Sequence, residues 1–190
     1  MLQEIVFGSV RWQATLDWLI GRKSSRPTDN ILVKVLLRSA LYQMFWMERV
    51  PDFAVVNETV GAARDLGLTR QAGFINALLR GYGREMELTE RALADLKRHD
   101  PALGHSHPKW LVDRWRSRWP MARVVKLMEW NNTPPPTYAR LNMLRSDPAR
   151  LAALWKAEGV QATGVTHPWC RGGLAYQVEN PSALVASSSL

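Results

Sequence analysis

Cysteine is almost absent from this sequence: Cys170 stands alone among 190 residues. No internal disulfide can form, and a thiol-ligated metal cluster is out of reach. No run approaches the ~20 consecutive apolar residues of a membrane span. The N-terminus, MLQEIVFGSVRWQATLDW, carries Glu4 where a signal peptide would carry positive charge, and it lacks a long apolar core ending in small residues. These absences point to a cytoplasmic protein. A glycine-rich strand-to-helix turn able to hold a nucleotide cofactor is also missing, since the RGG at residues 171–173 is too short for a phosphate loop. Acidic residues are in deficit, 17 against 25 Lys and Arg, giving a formal net charge of +8 and an isoelectric point near 10.1. Such a balance draws a protein toward polyanions, of which nucleic acid is the commonest for a soluble basic chain. With 46% apolar and 22% charged residues the chain is globular rather than disordered.

What is present changes character along the chain. Up to about residue 82 the apolar residues recur at helical spacing with no strand-like alternation. The pattern predicts a first helix over residues 2–20, ended at Gly21 before the polar loop GRKSSRPTDN. A second helix, ILVKVLLRSALYQMFWM, is capped by Thr28 or Asp29. Its main stripe reads Leu32, Val35, Leu36, Ser39, Ala40, Gln43 and Met44, with a second apolar edge at Val33, Leu37, Leu41 and Phe45. A helix apolar around most of its circumference belongs at the centre of a bundle. Pro51 and Asp52 suit the first turn of a third helix, whose core stripe is Val56, Val60 and Ala63 and whose C-terminal cap is Gly67. A fourth, TRQAGFINALLRGYG, turns Phe74, Leu78 and Ile75 inward and closes at Gly81 and Gly83. Residues 85–100 form a charged amphipathic connector helix with Thr89 as its cap.

Several phrases in order carry a resemblance. EIVFGSVR, LLRSALYQMFWMERVPDFAVVNETVGAARDLG and GFINALLR resemble the NusB-like helical domain at the front of the Sun (Fmu, RsmB) family of bacterial 16S ribosomal RNA cytosine-C5 methyltransferases. HPKWLVDRWRSRWP and NNTPPPTYARLNMLRSDPARLAALWKAEGV are similar to the start of that family's catalytic region. The resemblance implies a mainly α fold: a NusB-like bundle over residues 1–84, connector and basic Trp/Arg-rich helices over 85–131, and a partial β-α-β, RNA-recognition-like subdomain over 132–190. It also implies that the chain starts inside the NusB-like domain, without its first helix or two, and stops where a cofactor-binding domain would begin.

The candidate site residues follow from both readings. Asn57 and Glu58 sit side by side in the third helix. Carboxylates do not seek phosphate, so Asn57 and Asn76 are expected to satisfy backbone groups inside the bundle. Arg64, Arg70 and Arg80 are open between RNA contact and a solvated rim. In the GHSHP loop, His105 and His107 lack a third ligand nearby and read as a surface loop rather than a metal site. KWLVDRWRSRWPMARVVKLMEW predicts two short helices meeting at Pro120. It interleaves tryptophans with Arg114, Arg118 and other cations, a composition that can neutralise phosphate and stack unpaired bases. Leu111, Trp115 and Trp119 fall at i, i+4 and i+8, so the tryptophans are expected to be buried and the arginines exposed. Three prolines then enforce an extended entry to a strand, TYARLNML, a capped helix, SDPARLAALWKAEGV, and a further extended segment, QATGVTHPWC. By resemblance, the family's Arg-x-Asn corresponds here to Arg140 and Asn142, which become the foremost RNA candidates.

Transfer of methyl to cytosine C5 needs a cysteine nucleophile, an acidic residue and a turn for S-adenosylmethionine. The resembling family carries these in a Pro-Cys segment and an Ala-Pro-Gly-Gly-Lys-like turn, and neither occurs here. Cys170 lies in PWCRGG without a preceding proline and is rejected as nucleophile. The expected role is therefore capture of RNA, with a small-subunit rRNA stem-loop implied by the resemblance, for a catalytic domain outside these residues. No cofactor is expected in this chain itself. The alternatives are a free-standing NusB-like module binding RNA or protein in transcription antitermination, and a nonfunctional remnant.

Overall fold

The computed structural model describes residues 1–24, 28–48, 50–166 and 174–189. It divides into two compact units, Met1–Asn132 and Thr133–Leu190.

The first unit is helical throughout. Residues expected to form one opening helix form two, α1 (Leu2–Arg11) and α2 (Gln13–Lys23), broken at Trp12. No glycine or proline marks the break, and its cause is tertiary. Trp12 is buried against Trp46 with ring centroids 4.9 Å apart, and the Ala14 amide donates to Ser106 Oγ at 3.0 Å, 92 residues away.

Helix α3 (Ile31–Trp46) packs on α1, α2, α4 and α5 and so occupies the centre of the bundle. Its cap is Asn30, not Thr28 or Asp29; the Asn30 carboxamide oxygen accepts from the Leu32 and Val33 amides. The buried face draws on both expected stripes: Ala40 and Met44 from the main one, Val33, Leu37 and Leu41 from the second edge. Val33, Leu37, Ala40, Leu41 and Met44 are buried, while Leu32 and Val35 are 45% and 49% exposed. Both stripes satisfy helical periodicity, and the neighbouring helices decide between them.

Helices α4 (Asp52–Asp65) and α5 (Thr69–Gly83) form a hairpin whose turn is built by Gly67 at φ 75°. The Gly67 amide donates to Arg64 O and the Leu68 amide to Ala63 O, the paired bonds that satisfy the carbonyls at a helix end. Val55, Val56, Thr59 and Ala63 face the core from α4, and Ala72, Ile75, Leu78, Leu79 and Tyr82 from α5. Tyr82 is 1% exposed and its hydroxyl donates to Leu19 O at 2.6 Å, tying α5 to α2. Burial pushes that hydroxyl's pKa up to about 12.

Helix α6 (Met86–His99) begins one residue after Glu85. Thr89 is not its cap but lies one turn inside, its hydroxyl donating to Glu85 O at 2.8 Å. The single turn α7 (Pro101–Gly104) then presses on α6, so closely that a Cβ at Gly104 would lie 2.5 Å from Lys97 Cα. Helices α8 (Lys109–Arg116) and α9 (Met121–Asn132) meet around Pro120 and enclose a small core of Ala102, Val112, Val124 and Met128.

The second unit holds a three-stranded antiparallel sheet. Its elements are β1 (Thr137–Arg140), α10 (Pro148–Glu158), β2 (Ala162–Gly164), β3 (Ala175–Val178) and α11 (Pro181–Val185). The order is β1-β3-β2, with Thr137 and Ala162 both opposite Val178. Since β1 and β2 each run against β3, they are parallel to each other with β3 inserted between them, a split β-α-β. Asp147 caps α10 by accepting from the Arg150 amide at 2.9 Å, and Gly159 at φ 71° ends it. Leu141, Leu151, Trp155, Val160, Val178 and Leu184 form the core. Among the described residues no helix is long and apolar enough to cross a membrane.

Two glycine substitutions separate packing from helix propensity. Gly104→Ala, whose new methyl meets α6 backbone, is expected to cost about 1 to 3 kcal/mol. Gly61→Ala, inside α4 with open space around the built methyl, is expected to add about 0.5 to 1 kcal/mol of stability. Urea titrations of both variants check the pair.

Candidate nucleic-acid interface

The expected strand TYARLNML ends early, at Arg140, because the next residues turn. Asn142 Oδ1 accepts from the Leu144 amide at 3.0 Å, and its carbonyl accepts from the amides of Arg145 and Ser146. This side-chain turn outcompetes strand continuation, as asparagine commonly does. It also folds the 141–147 segment back toward α10. Alternation along β1 places Tyr138 and Arg140 on the exposed side. Arg140, Asn142, Arg145 and Arg150, with Ser188 and Ser189, line one cleft of about 290 Å³ floored by Leu151, Trp155 and Leu184. The three arginines are exposed and none forms an ion pair among the described residues.

Among the described residues no carboxylate lines the cleft, and two carboxylates of the same unit are engaged elsewhere. Asp147 serves as the cap of α10, and Glu158 accepts from the hydroxyls of Ser187 and Ser188, which hold its pKa below the usual carboxylate range. The cleft is thus a cationic pocket with polar donors on an apolar floor. Arg145 and Arg150 were not singled out in the sequence. Their spacing in steps of five from Arg140 has no meaning on one helix or strand and acquires one only through the turn at Asn142.

The first unit presents its cations differently. Arg64 and Arg70 are exposed on either side of the Gly67 turn. Arg80 lies about 15 Å farther along α5, where its Nε donates to Asn76 Oδ1 at 3.0 Å. The expected buried amides are absent: Asn57 and Glu58 are exposed, Asn76 serves Arg80, and Asn57 lines a surface groove between α4 and α5 with Phe53, Arg80 and Arg84. Position 57 is one residue past the buried pair Val55 and Val56, enough rotation to leave the core side.

Arg114 and Arg118 are exposed, as expected, on α8 and just beyond it. The tryptophans are not buried. Trp110, Trp119 and Trp130 are 66%, 37% and 71% exposed, and only Trp115 is half-buried, against His107. Helix α8 ends at Arg116, so the i+8 position never joins the stripe. Val112, Val124 and Met128 fill the core instead.

The GHSHP loop is not a surface loop either. His105 is buried, and its carbonyl accepts from Asn132 Nδ2 at 2.9 Å and from His107 Nδ1 at 2.7 Å. His107 thereby carries its proton on Nδ1 and offers Nε2 to Asn131. Among the described residues no group of three His, Cys, Asp or Glu could hold a metal ion. Cys170 and the RGG after it lie outside the described residues.

Residues 1–84 match the family profile described as the NusB family, and residues 107–181 match the Methyltr_RsmF/B-like, ferredoxin-like domain. The probable ribosomal RNA small subunit methyltransferase B of Bacillus subtilis (strain 168) is 32% identical over 85% of the chain and 36% of its own length. The ribosomal RNA small subunit methyltransferase B of Erwinia tasmaniensis is 32% identical over 97% of the chain and 41% of its own length. That of Klebsiella pneumoniae subsp. pneumoniae is 33% identical over 88% and 37%. The chain therefore spans well under half the length of these curated relatives.

Burial holds the His105 imidazole below its ordinary value of 6.5, with Lys97 and His107 adding to the effect and Glu129 opposing it. An unfolded chain then takes up this proton before the folded one. Stability from the neutral ring is complete above 6.5 and declines as pH falls below it toward the folded value. Urea titrations between about pH 7 and pH 5 are expected to show a steeper loss for the wild type than for His105→Gln.

Proposed function

Since the chain belongs to the ribosomal RNA small subunit methyltransferase B family, we propose that it is the RNA-binding portion of a small-subunit rRNA cytosine-C5 methyltransferase. It captures an rRNA stem-loop through exposed arginines and presents the target base to catalytic machinery carried by other residues of the full-length protein. The observation that carries this reading is the convergence of Arg140, Arg145 and Arg150 with Asn142 on one cleft. Guanidinium groups around a concave floor bind phosphate oxygens bidentately, and the loss of condensed counterions drives association. Arg64, Arg70, Arg80, Arg114 and Arg118 add long-range attraction from the helical unit. The setting is the cytoplasm, where rRNA is found.

S-adenosylmethionine supplies the methyl group in a reaction of this class, but these residues do not fit it. The described strand-to-helix junctions, between β1 and α10 and between β3 and α11, contain no glycine. The first is filled by the arginines of the cleft. A NusB-like module acting alone in transcription accounts for residues 1–84 but leaves the ferredoxin-like match over 107–181 without a role.

The affinity of the 190-residue chain for an rRNA hairpin, measured across a salt series, tests the reading. A steep decline with salt is expected, and a flat response would count against phosphate capture. Arg140→Ala or Arg145→Ala should weaken binding and reduce the salt slope by about 1 each. Incubated with S-adenosylmethionine and small-subunit rRNA, the chain alone should yield no 5-methylcytosine; its detection by nucleoside analysis would overturn the assignment.

A further inference from the structure

The outward tryptophans of α8 and α9 have no part in the arginine cleft. On α8, Trp110 stands two positions, or 200° of helical rotation, from the buried Val112 and so faces directly away from the core, with Arg114 one turn beyond on the same side. On α9 the core positions are Val124 and Met128. Arg123, Lys126 and Trp130, at i, i+3 and i+7, form a single stripe on the opposite face. The hairpin brings the two rings to the same end, because Asn131, next to Trp130, contacts His107, three residues before Trp110. Over residues 109–132 six cations face two carboxylates, and one of those, Asp113, is held by Lys109 at 2.7 Å. An indole exposed by two-thirds of its surface and flanked by unopposed cations suits a ligand with flat aromatic faces and a negatively charged backbone.

We propose that the outer faces of α8 and α9 form a platform for unpaired bases of RNA. Trp110 and Trp130 stack nucleobases while Arg114, Arg123 and Lys126 take the flanking phosphates. This rests on the RNA-binding reading and deepens it, for it makes single-stranded nucleotides, such as those of a hairpin loop, the preferred ligand of this surface. Paired bases hide their faces inside a duplex, and splayed ones offer them to aromatic side chains.

The test compares a single-stranded oligoribonucleotide with a fully paired duplex, binding each to the 190-residue chain and to Trp110→Ala, Trp130→Ala and Trp110→Tyr. Each alanine should lower single-strand affinity about five- to 150-fold, the range of one lost stacking contact, while the salt slope stays unchanged. Duplex affinity should hold, and tyrosine should restore most of the loss. Because both rings are exposed, thermal unfolding monitored by circular dichroism should be unaltered. Unchanged single-strand affinity in the alanine variants, or an equal drop for single strand and duplex, would overturn the platform, whether or not a protein partner then proved to cover the rings. If Arg140→Ala still weakened binding in that case, only the platform would fall; a wild-type chain with no affinity for either RNA would sink the RNA-binding reading itself.

Discussion

The helical unit depends on a joint formed far apart in sequence, where the first turn of α2 meets the loop after α7. Thr15, fully buried, donates its hydroxyl to Leu103 O at 2.7 Å, and the Ala14 amide donates to Ser106 Oγ. An α-helix leaves its first amides without partners, and here a side chain 92 residues away supplies one. Ser106 sits at φ 56°, the positive value found at no other non-glycine residue among those described. That conformation costs about 1 to 2 kcal/mol for a residue with a Cβ. The bonds on either side of it, and the close approach of Gly104 to α6, hold it in place. Through this joint α8 and α9 are attached to the bundle as a projecting basic hairpin rather than a loose tail.

The bundle beneath is held by aromatic packing. Trp12, Tyr42 and Trp46 pack in series, and Phe45 meets both Trp46 and Tyr82 edge-on. Buried phenol is tolerable only when its hydroxyl has a partner. Tyr82 finds one in the Leu19 carbonyl, and Lys23 covers its ring while bridging to Gly81 O and Glu85. Lys23 thus closes the open ends of α2 and α5 together.

Under the proposed RNA-binding reading, the two units offer different chemistry. The cleft beside β1 gathers guanidinium groups over an apolar floor and can fix phosphates in position. The α8–α9 hairpin combines cations with flat rings and can discriminate unpaired from paired nucleotides. Phosphate contacts supply affinity without sequence information, and stacking adds a preference for flexible, open segments. In the proposed reading, the two together would recognise the form of an RNA before any reaction on a base.

Helix identities in the first unit were legible because periodicity is local: α3, α4, α5, α8 and α9 fall where the apolar spacing, Gly67 and Pro120 put them. The sidedness of a helix was less so. Leu32 and Val33 carry equal hydrophobic weight in the sequence, and only the neighbours of α3 decide that Val33 is the buried one. Trp110 and Trp130 face outward for a related reason: an aromatic ring suits a core or an exposed surface alike, and the small core of α8–α9 is filled by Val112, Val124 and Met128. Arg140 and Asn142 were visible through resemblance, whereas Arg145 and Arg150 join them through a turn that no spacing rule announces. By itself the sequence determined charge, helical content and the lack of a catalytic cysteine motif, all properties of composition and short-range pattern. The tertiary structure alone decided which cations converge, which tryptophans face outward and which loop caps α2, because those depend on contacts between residues that the chain brings together only on folding.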